Sequence, residues 1–158
     1  MKVEKYIAVI AALLTLSLAS YAQAATGRST ADVDQEGAAN SAFIEQIDAN
    51  ATSAVIEQSG KGNTAEIEQS GNGNKAGLEQ AGNGNDADVD QTGMDNVADL
   101  DQTGEHNEAD IEQSGNGNAA AIEQAGHGNV ANIGQEGGLN TVSTEQRGNN
   151  NSVYIQQK

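Results

Sequence analysis

The sequence predicts an all-β solenoid in which two-strand coils stack so that two parallel sheets face each other, 12 strands in about six coils. Three observations lead there. A glutamine recurs at every eleventh place, an apolar residue stands two places before it, and a turn rich in Gly and Asn follows it.

The glutamines are Gln35, Gln46, Gln58, Gln69, Gln80, Gln91, Gln102, Gln113, Gln124, Gln135, Gln146 and Gln157. Every interval is the same except Gln46 to Gln58, which is one place longer. Two places before each stands Val, Ile or Leu, from Val33 to Ile155, with Thr144 the one exception. Four places before stands Ala in ten units, and Val142 and Val153 in the last two. Gly stands two places after Gln in ten of eleven turns, with Asp48 as the exception. Five places after stands Asn: Asn40, Asn63, Asn74, Asn85, Asn96, Asn107, Asn118, Asn129, Asn140 and Asn151. The turn after Gln46 has Ala51 there instead, with Asn50 beside it.

This period is also that of a right-handed helical supercoil. Composition argues against it. Each unit carries one or two Gly, which cost about 1 kcal/mol apiece inside a helix. Ala, the apolar residue and Gln fall at i, i+2 and i+4, the spacing of one strand face. Stretches such as Gly60-Lys61-Gly62-Asn63 are turn chemistry, because Gly and Asn tolerate positive φ. Each unit is therefore expected to be a strand of five or six residues and a turn of about five.

Alternation puts Ala, the Ile-class residue and Gln on one face. The residues between them are mostly Asp, Glu, Ser and Thr, which marks the solvent side. A single strand cannot bury its apolar face. Two consecutive units can, facing each other as one coil. Coils stack at the strand spacing of ~4.8 Å, giving a subunit ~29 Å tall. The stacked Gln side chains then form inward amide ladders, and Asn63, Asn74, Asn85, Asn96, Asn107, Asn118 and Asn129 do the same at the turns while capping backbone groups.

Residues 1–24 read as a secretory signal peptide: a short charged start, an apolar run over residues 6–19, and an A-x-A site at Ala22-Gln23-Ala24. Residues 25–30 are a short polar segment, and residues 31–158 hold the repeats. After residue 24 the chain has five Lys and Arg against 22 Asp and Glu, a net charge of −17. That charge argues against nucleic acid or an anionic membrane surface as a partner. Without Cys there is no disulfide framework.

The stretch Gln58-Ser59-Gly60-Lys61-Gly62-Asn63-Thr64-Ala65-Glu66-Ile67-Glu68-Gln69 resembles the repeat of curlins, the subunits of bacterial curli fibres, and the same pattern restarts at Gln69, Gln80, Gln113 and Gln124. The resemblance spans residues 31–158. It implies an extracellular amyloid fibre serving biofilm matrix and adhesion, with the chain itself as chief partner, a nucleating subunit, and an outer-membrane export pore. Two departures stand out: only residues 25–30 precede the repeats, and the Ser that opens the curlin motif is mostly Ala here.

Other functions fit less well. His106 and His127 lie in turns, each in a variable slot, and read as solvated side chains. Acids recur in nearly every unit, whereas a catalytic pair is singular. We therefore expect no enzyme, no cofactor, no metal ligand set and no small-molecule substrate. A calcium-binding solenoid carries its Asp in the turns, but here the acids lie on the strands. An ice-binding solenoid needs outward Thr rows. A minor nucleating subunit and a non-polymerising acidic solenoid that binds divalent cations are the alternatives. Against the latter, no capping helix is expected before Ala31, and the last unit ends beside Lys158; bare edges template pairing with another chain.

Two further expectations concern the outward slots. The place before Gln is acidic in ten of twelve units, so stacked carboxylates should have raised pKa values. Three places before Gln, alternate units read Phe43, Glu66, Asp88, Asp110, Asn132 and Tyr154. Phe43 and Tyr154 are the aromatic residues of the chain beyond residue 24. Head-to-tail stacking would set Tyr154 beside Phe43 of the next subunit, a subunit junction.

Overall fold

The structure, a computed structural model, describes residues 20–24 and 29–158. The expected signal peptide thus falls largely outside the described residues. The chain runs through β1 (Ser20–Ala24), β2 (Thr30–Ala38), β3 (Ser41–Asn50), β4 (Ser53–Lys61), β5 (Thr64–Asn72), β6 (Lys75–Asn83), β7 (Asp86–Met94), β8 (Val97–Glu105), β9 (Glu108–Asn116), β10 (Ala119–His127), β11 (Val130–Gly138), β12 (Thr141–Asn149) and β13 (Ser152–Gln157).

Odd strands form one seven-stranded sheet and even strands a six-stranded sheet, both parallel throughout. Each strand pairs with those two places away in sequence. From β4 onward the register joins equivalent positions two repeats apart, as in Ile67↔Val89 and Gln69↔Gln91. The coil is therefore two repeats, as the period requires, and strands β2 to β13 are the twelve repeat units. β1 is an addition to that set: Ser20–Ala24 pairs with β3 in register Tyr21↔Phe43.

The core is what alternation demands. Ala and the Ile-class residue of each unit point inward and join across the two sheets in one cluster, with Ile44, Ile56, Ile67, Val89, Leu100 and Ile111 at 0% exposure. The outward residues remain exposed or partly so. At ~25 cal/mol per Å² removed from water, this narrow apolar seam drives the sheets together.

The strands differ from expectation in length. Most run nine residues, continuing past Gln through the Gly, and the turns shorten to two residues. The reason is that parallel pairing persists around the corner. The glycine two places after Gln bends the chain with φ between 100° and 129° while staying paired to its equivalent in the next coil. A Cβ on Gly93 would lie 1.9 Å from the carbonyl oxygen of Gly115, so no side chain fits.

The one longer interval has a related cause. After Gln46 the corner position is Asp48, not Gly, and the register shifts between Ile47 and Asn50. Residues 48 and 49 thus stand opposite Gly71, a β-bulge that turns the corner with one extra residue. The left-handed residue that precedes each inward Asn is here Ala51 at φ 58°. The Asn place is consequently taken by Thr52, which is 1% exposed, and not by Ala51.

Candidate functional site

The feature that every coil of this fold shares is a set of polar ladders that run along the stack and stop at its two ends. In the six-stranded sheet Gln35, Gln58, Gln80, Gln102, Gln124 and Gln146 stack; in the seven-stranded sheet Gln46, Gln69, Gln91, Gln113, Gln135 and Gln157 do. Each Gln Nε2 before the last coil donates to the Oε1 of the Gln in the next coil, at 2.8 Å for Gln80 to Gln102 and Gln91 to Gln113. The same Nε2 donates across the core to a backbone carbonyl of the facing sheet, as Gln80 to Thr64 O at 2.9 Å. One amide therefore ties coil to coil and sheet to sheet, and its polar atoms are satisfied although it is buried. The sequence points to the first bond; the second needs the distance between the sheets.

The asparagines make a second pair of ladders. The backbone N–H of Asn85 donates to Asn63 Oδ1 at 3.0 Å, and Asn63 Nδ2 donates to Ser59 O at 3.0 Å and Gly82 O at 3.2 Å. Asn74, Asn96, Asn107, Asn118 and Asn129 repeat this with small variations. All seven asparagines singled out from the sequence are 0–1% exposed, so the turns are fastened from inside. One ladder is broken at its start: Thr52 stands beneath Asn74, and its buried Oγ1 has no partner among the described residues.

Both Gln ladders end, at each end of the stack, without a further Gln among the described residues to continue them. At the first coil the Oε1 atoms of Gln35 and Gln46 are buried and accept nothing from the described residues. At the last coil Gln146 and Gln157 accept from Gln124 and Gln135, with no described coil beyond them to receive their own amides along the stack. The ends are thus complementary, acceptors at one and donors at the other. β12 and β13 are sheet edges, as is β2; β3 carries β1 on its outer side.

Phe43 and Tyr154 occupy the same outward slot at opposite ends of the seven-stranded sheet, in the continuous register Phe43↔Glu66↔Asp88↔Asp110↔Asn132↔Tyr154. Tyr154 is 70% exposed, and Phe43 is half-buried. In the full chain Tyr21 of β1 stands in register with Phe43, the place a neighbour's Tyr154 would take.

The middle of that slot is electrostatically crowded. Asp88 is pushed up to about 6, first by partial desolvation between flanking strands, then by Asp90, Glu66 and Asp110. Desolvation, followed by neighbouring carboxylates, also raises Glu66, Asp90 and Asp110, and Asp101 on the other sheet as well. The repeat alone places this effect along the slot immediately before Gln. It falls on Asp90 and Asp101 in that slot, and also on Glu66, Asp88 and Asp110 three places before Gln; desolvation leads in each, and carboxylates beside it and across from it add to the shift. The last coils are relieved: Arg147 pairs with Glu145 and, at 3.4 Å, with Glu123, while Lys158 reaches Glu136 at 3.7 Å.

The turns bring together one group that the repeat keeps apart. His106 and His127 lie with ring centroids 5.3 Å apart, beside Glu105. Their separation in the chain is one place short of a full coil, which is a signal of proximity, but the two histidines occupy different slots of the repeat.

No curated protein matches this sequence. A family model does, the curlin associated repeat, at residues 28–60, 60–93, 93–126 and 104–137. The last three matches start at the same place of the repeat, Gly60, Gly93 and Gly104, and the four together span most of the chain, which belongs to the curlin associated repeat family.

Proposed function

We propose that the chain is a structural, non-enzymatic subunit of an extracellular curli-type fibre, exported through an outer-membrane pore and growing by head-to-tail stacking of coils on a nucleating subunit. The observation that carries this reading is the pair of complementary open ends: buried Gln35 and Gln46 acceptors at one, Gln146 and Gln157 amides at the other. A second copy placed one strand spacing beyond β12 and β13 continues both Gln ladders and both sheets without a change of register. Head-to-head stacking would set acceptor against acceptor. Membership of a repeat family of structural subunits supports the same reading. Removal of residues 1–24 fits it too, since it takes β1 off the edge of β3 that a neighbour must reach.

The test is assembly of a chain beginning at residue 25. Concentrated solutions should form fibres with a meridional reflection near the ~4.8 Å strand spacing, seeded by preformed fibre ends. A chain that remains monomeric and folded at all concentrations would refute the proposal. A chain beginning at residue 20, which keeps β1, should elongate more slowly.

A further inference from the structure

The two histidines of this sequence come from successive coils, His106 from a turn and His127 from the end of a strand, and meet at one corner of the solenoid. His127 ends β10 and stands in direct register with Glu105, the last residue of β8. His106 follows Glu105 in the two-residue turn, at φ 54°. The ligand atoms of Glu105, His106 and His127 all lie within 4.8 Å of one another, and all three side chains are exposed. The surroundings hold them there. Asn83, from the coil before, donates its Nδ2 to Glu105 Oε1 at 3.3 Å. Gly84 leaves the space in which the His106 ring lies, since a Cβ there would begin 3.3 Å from His106 Cδ2.

We propose that Glu105, His106 and His127 form a site for a divalent transition-metal ion of the zinc and copper class. Two imidazoles and one carboxylate are a three-ligand set that leaves a fourth position for water. Bond lengths of ~2.0–2.2 Å put the donors of a tetrahedral site ~3.3–3.5 Å apart. Closing from 4.8 Å to that spacing takes about an ångström and a half at most, within the reach of exposed side chains free to rotate. Imidazole selects zinc, copper and nickel, whereas the carboxylate-only faces of the sheets suit calcium and magnesium. The chain's net charge of −16 gathers cations of either kind, so the histidines are what distinguish this corner. Because the ligands come from two successive coils, the site exists only when those coils are stacked. Bound metal therefore stabilises the stack. The site lies within one subunit and does not depend on whether subunits polymerise.

The experiment is zinc and copper binding to the folded chain isolated from cells, in the presence of millimolar calcium. One zinc per chain should survive the calcium competition. His106→Asn and His127→Asn should each weaken that binding by more than 100-fold, beyond the ~10–100-fold cost of losing an outer partner. Asn83→Ser should cost about tenfold. Both Asn substitutions suit the backbone: Asn150 holds the slot of His106 at φ 54°, and Asn149 is the register partner of His127. The pair Glu68→Gln with Asp90→Asn, on the sheet face, should leave the zinc site unchanged. Copper(II) spectra should show two coordinating nitrogens in the wild type and one in each His variant, a readout the wild type alone provides if a variant fails to fold. Zinc binding that persists in both His→Asn variants, oxygen-only copper coordination, or no zinc retained against calcium would overturn the proposal.

Discussion

Thr52 is the position where this fold departs most sharply from its own rule, and Thr52→Asn should stabilise it. The backbone is already in place. Thr30 N–H donates to Thr52 O at 2.9 Å, as Ser41 N–H does to Asn63 O at 2.8 Å. Ala51 supplies the left-handed residue that Gly62 supplies before Asn63. An Asn at 52 would offer Oδ1 to the N–H of Asn74 and Nδ2 to Gly71 O, the counterparts of bonds that run 3.0 and 3.2 Å around Asn63. Two such bonds contribute ~0.5–1.5 kcal/mol each, and the unpaired buried hydroxyl that now opposes folding disappears. The expected gain is about 2 kcal/mol, read as a higher guanidinium midpoint of the β-form at unchanged slope. Thr52→Val separates the two contributions, because it removes the hydroxyl and adds no bond; it should recover about half. The reverse change, Asn63→Thr, should cost ~2–4 kcal/mol, since several bonds go at once. If Thr52→Asn is no more stable than the wild type, or if Thr52→Val matches it, the ladder account of the turns is wrong.

Three other outcomes follow from the same geometry. Asp88, ordinarily at 3.8, sits at about 6 in the fold, so its charge opposes folding in full above that value and not at all below its ordinary one; stability should rise as pH falls through that window. A shift of that size would be ~3 kcal/mol unscreened, and for an exposed carboxylate we expect ~1–1.5 kcal/mol; Asp88→Asn should show that gain at a pH near neutral and lose it in acid, and equal midpoints under both conditions would count against it. Phe43→Ala and Tyr154→Ala should each slow fibre elongation, with the double variant adding little, whereas Asp88→Ala should not slow it; wild-type rates in both aromatic variants would remove the junction. Gly93→Ala should abolish the β-form or cost ~2–6 kcal/mol, because it combines positive φ with a Cβ 1.9 Å from Gly115 O; a cost under about 1 kcal/mol in a denaturation curve would mean that the corner opens easily.

The repeat by itself determined the coil. A Gln at every eleventh place, with Ala and Ile at alternate places before it, leaves one inward face per strand, and two such faces must close on each other. The same arithmetic placed Gln80 over Gln102 and Asn63 over Asn85, because stacked equivalents differ by one coil whatever the handedness. Phe43 and Tyr154 were legible as one slot for that reason too. What periodicity lacks is distance across the core and around the corner. Only the packed sheets brought Gln80 Nε2 to Thr64 O, since that bond depends on how close Ala and Ile let the sheets come. Only the close approach of one corner glycine to the next made the missing glycine at Asp48 costly enough to require an extra residue, which moved the inward turn position from Ala51 to Thr52. The crowding at Asp88 required both outward slots of three adjacent strands to be read together, which no single column of the repeat contains. The meeting of His106 with His127 arose because a turn folds back on itself: neighbours there are set by the left-handed φ of a single residue rather than by a shared place in the repeat.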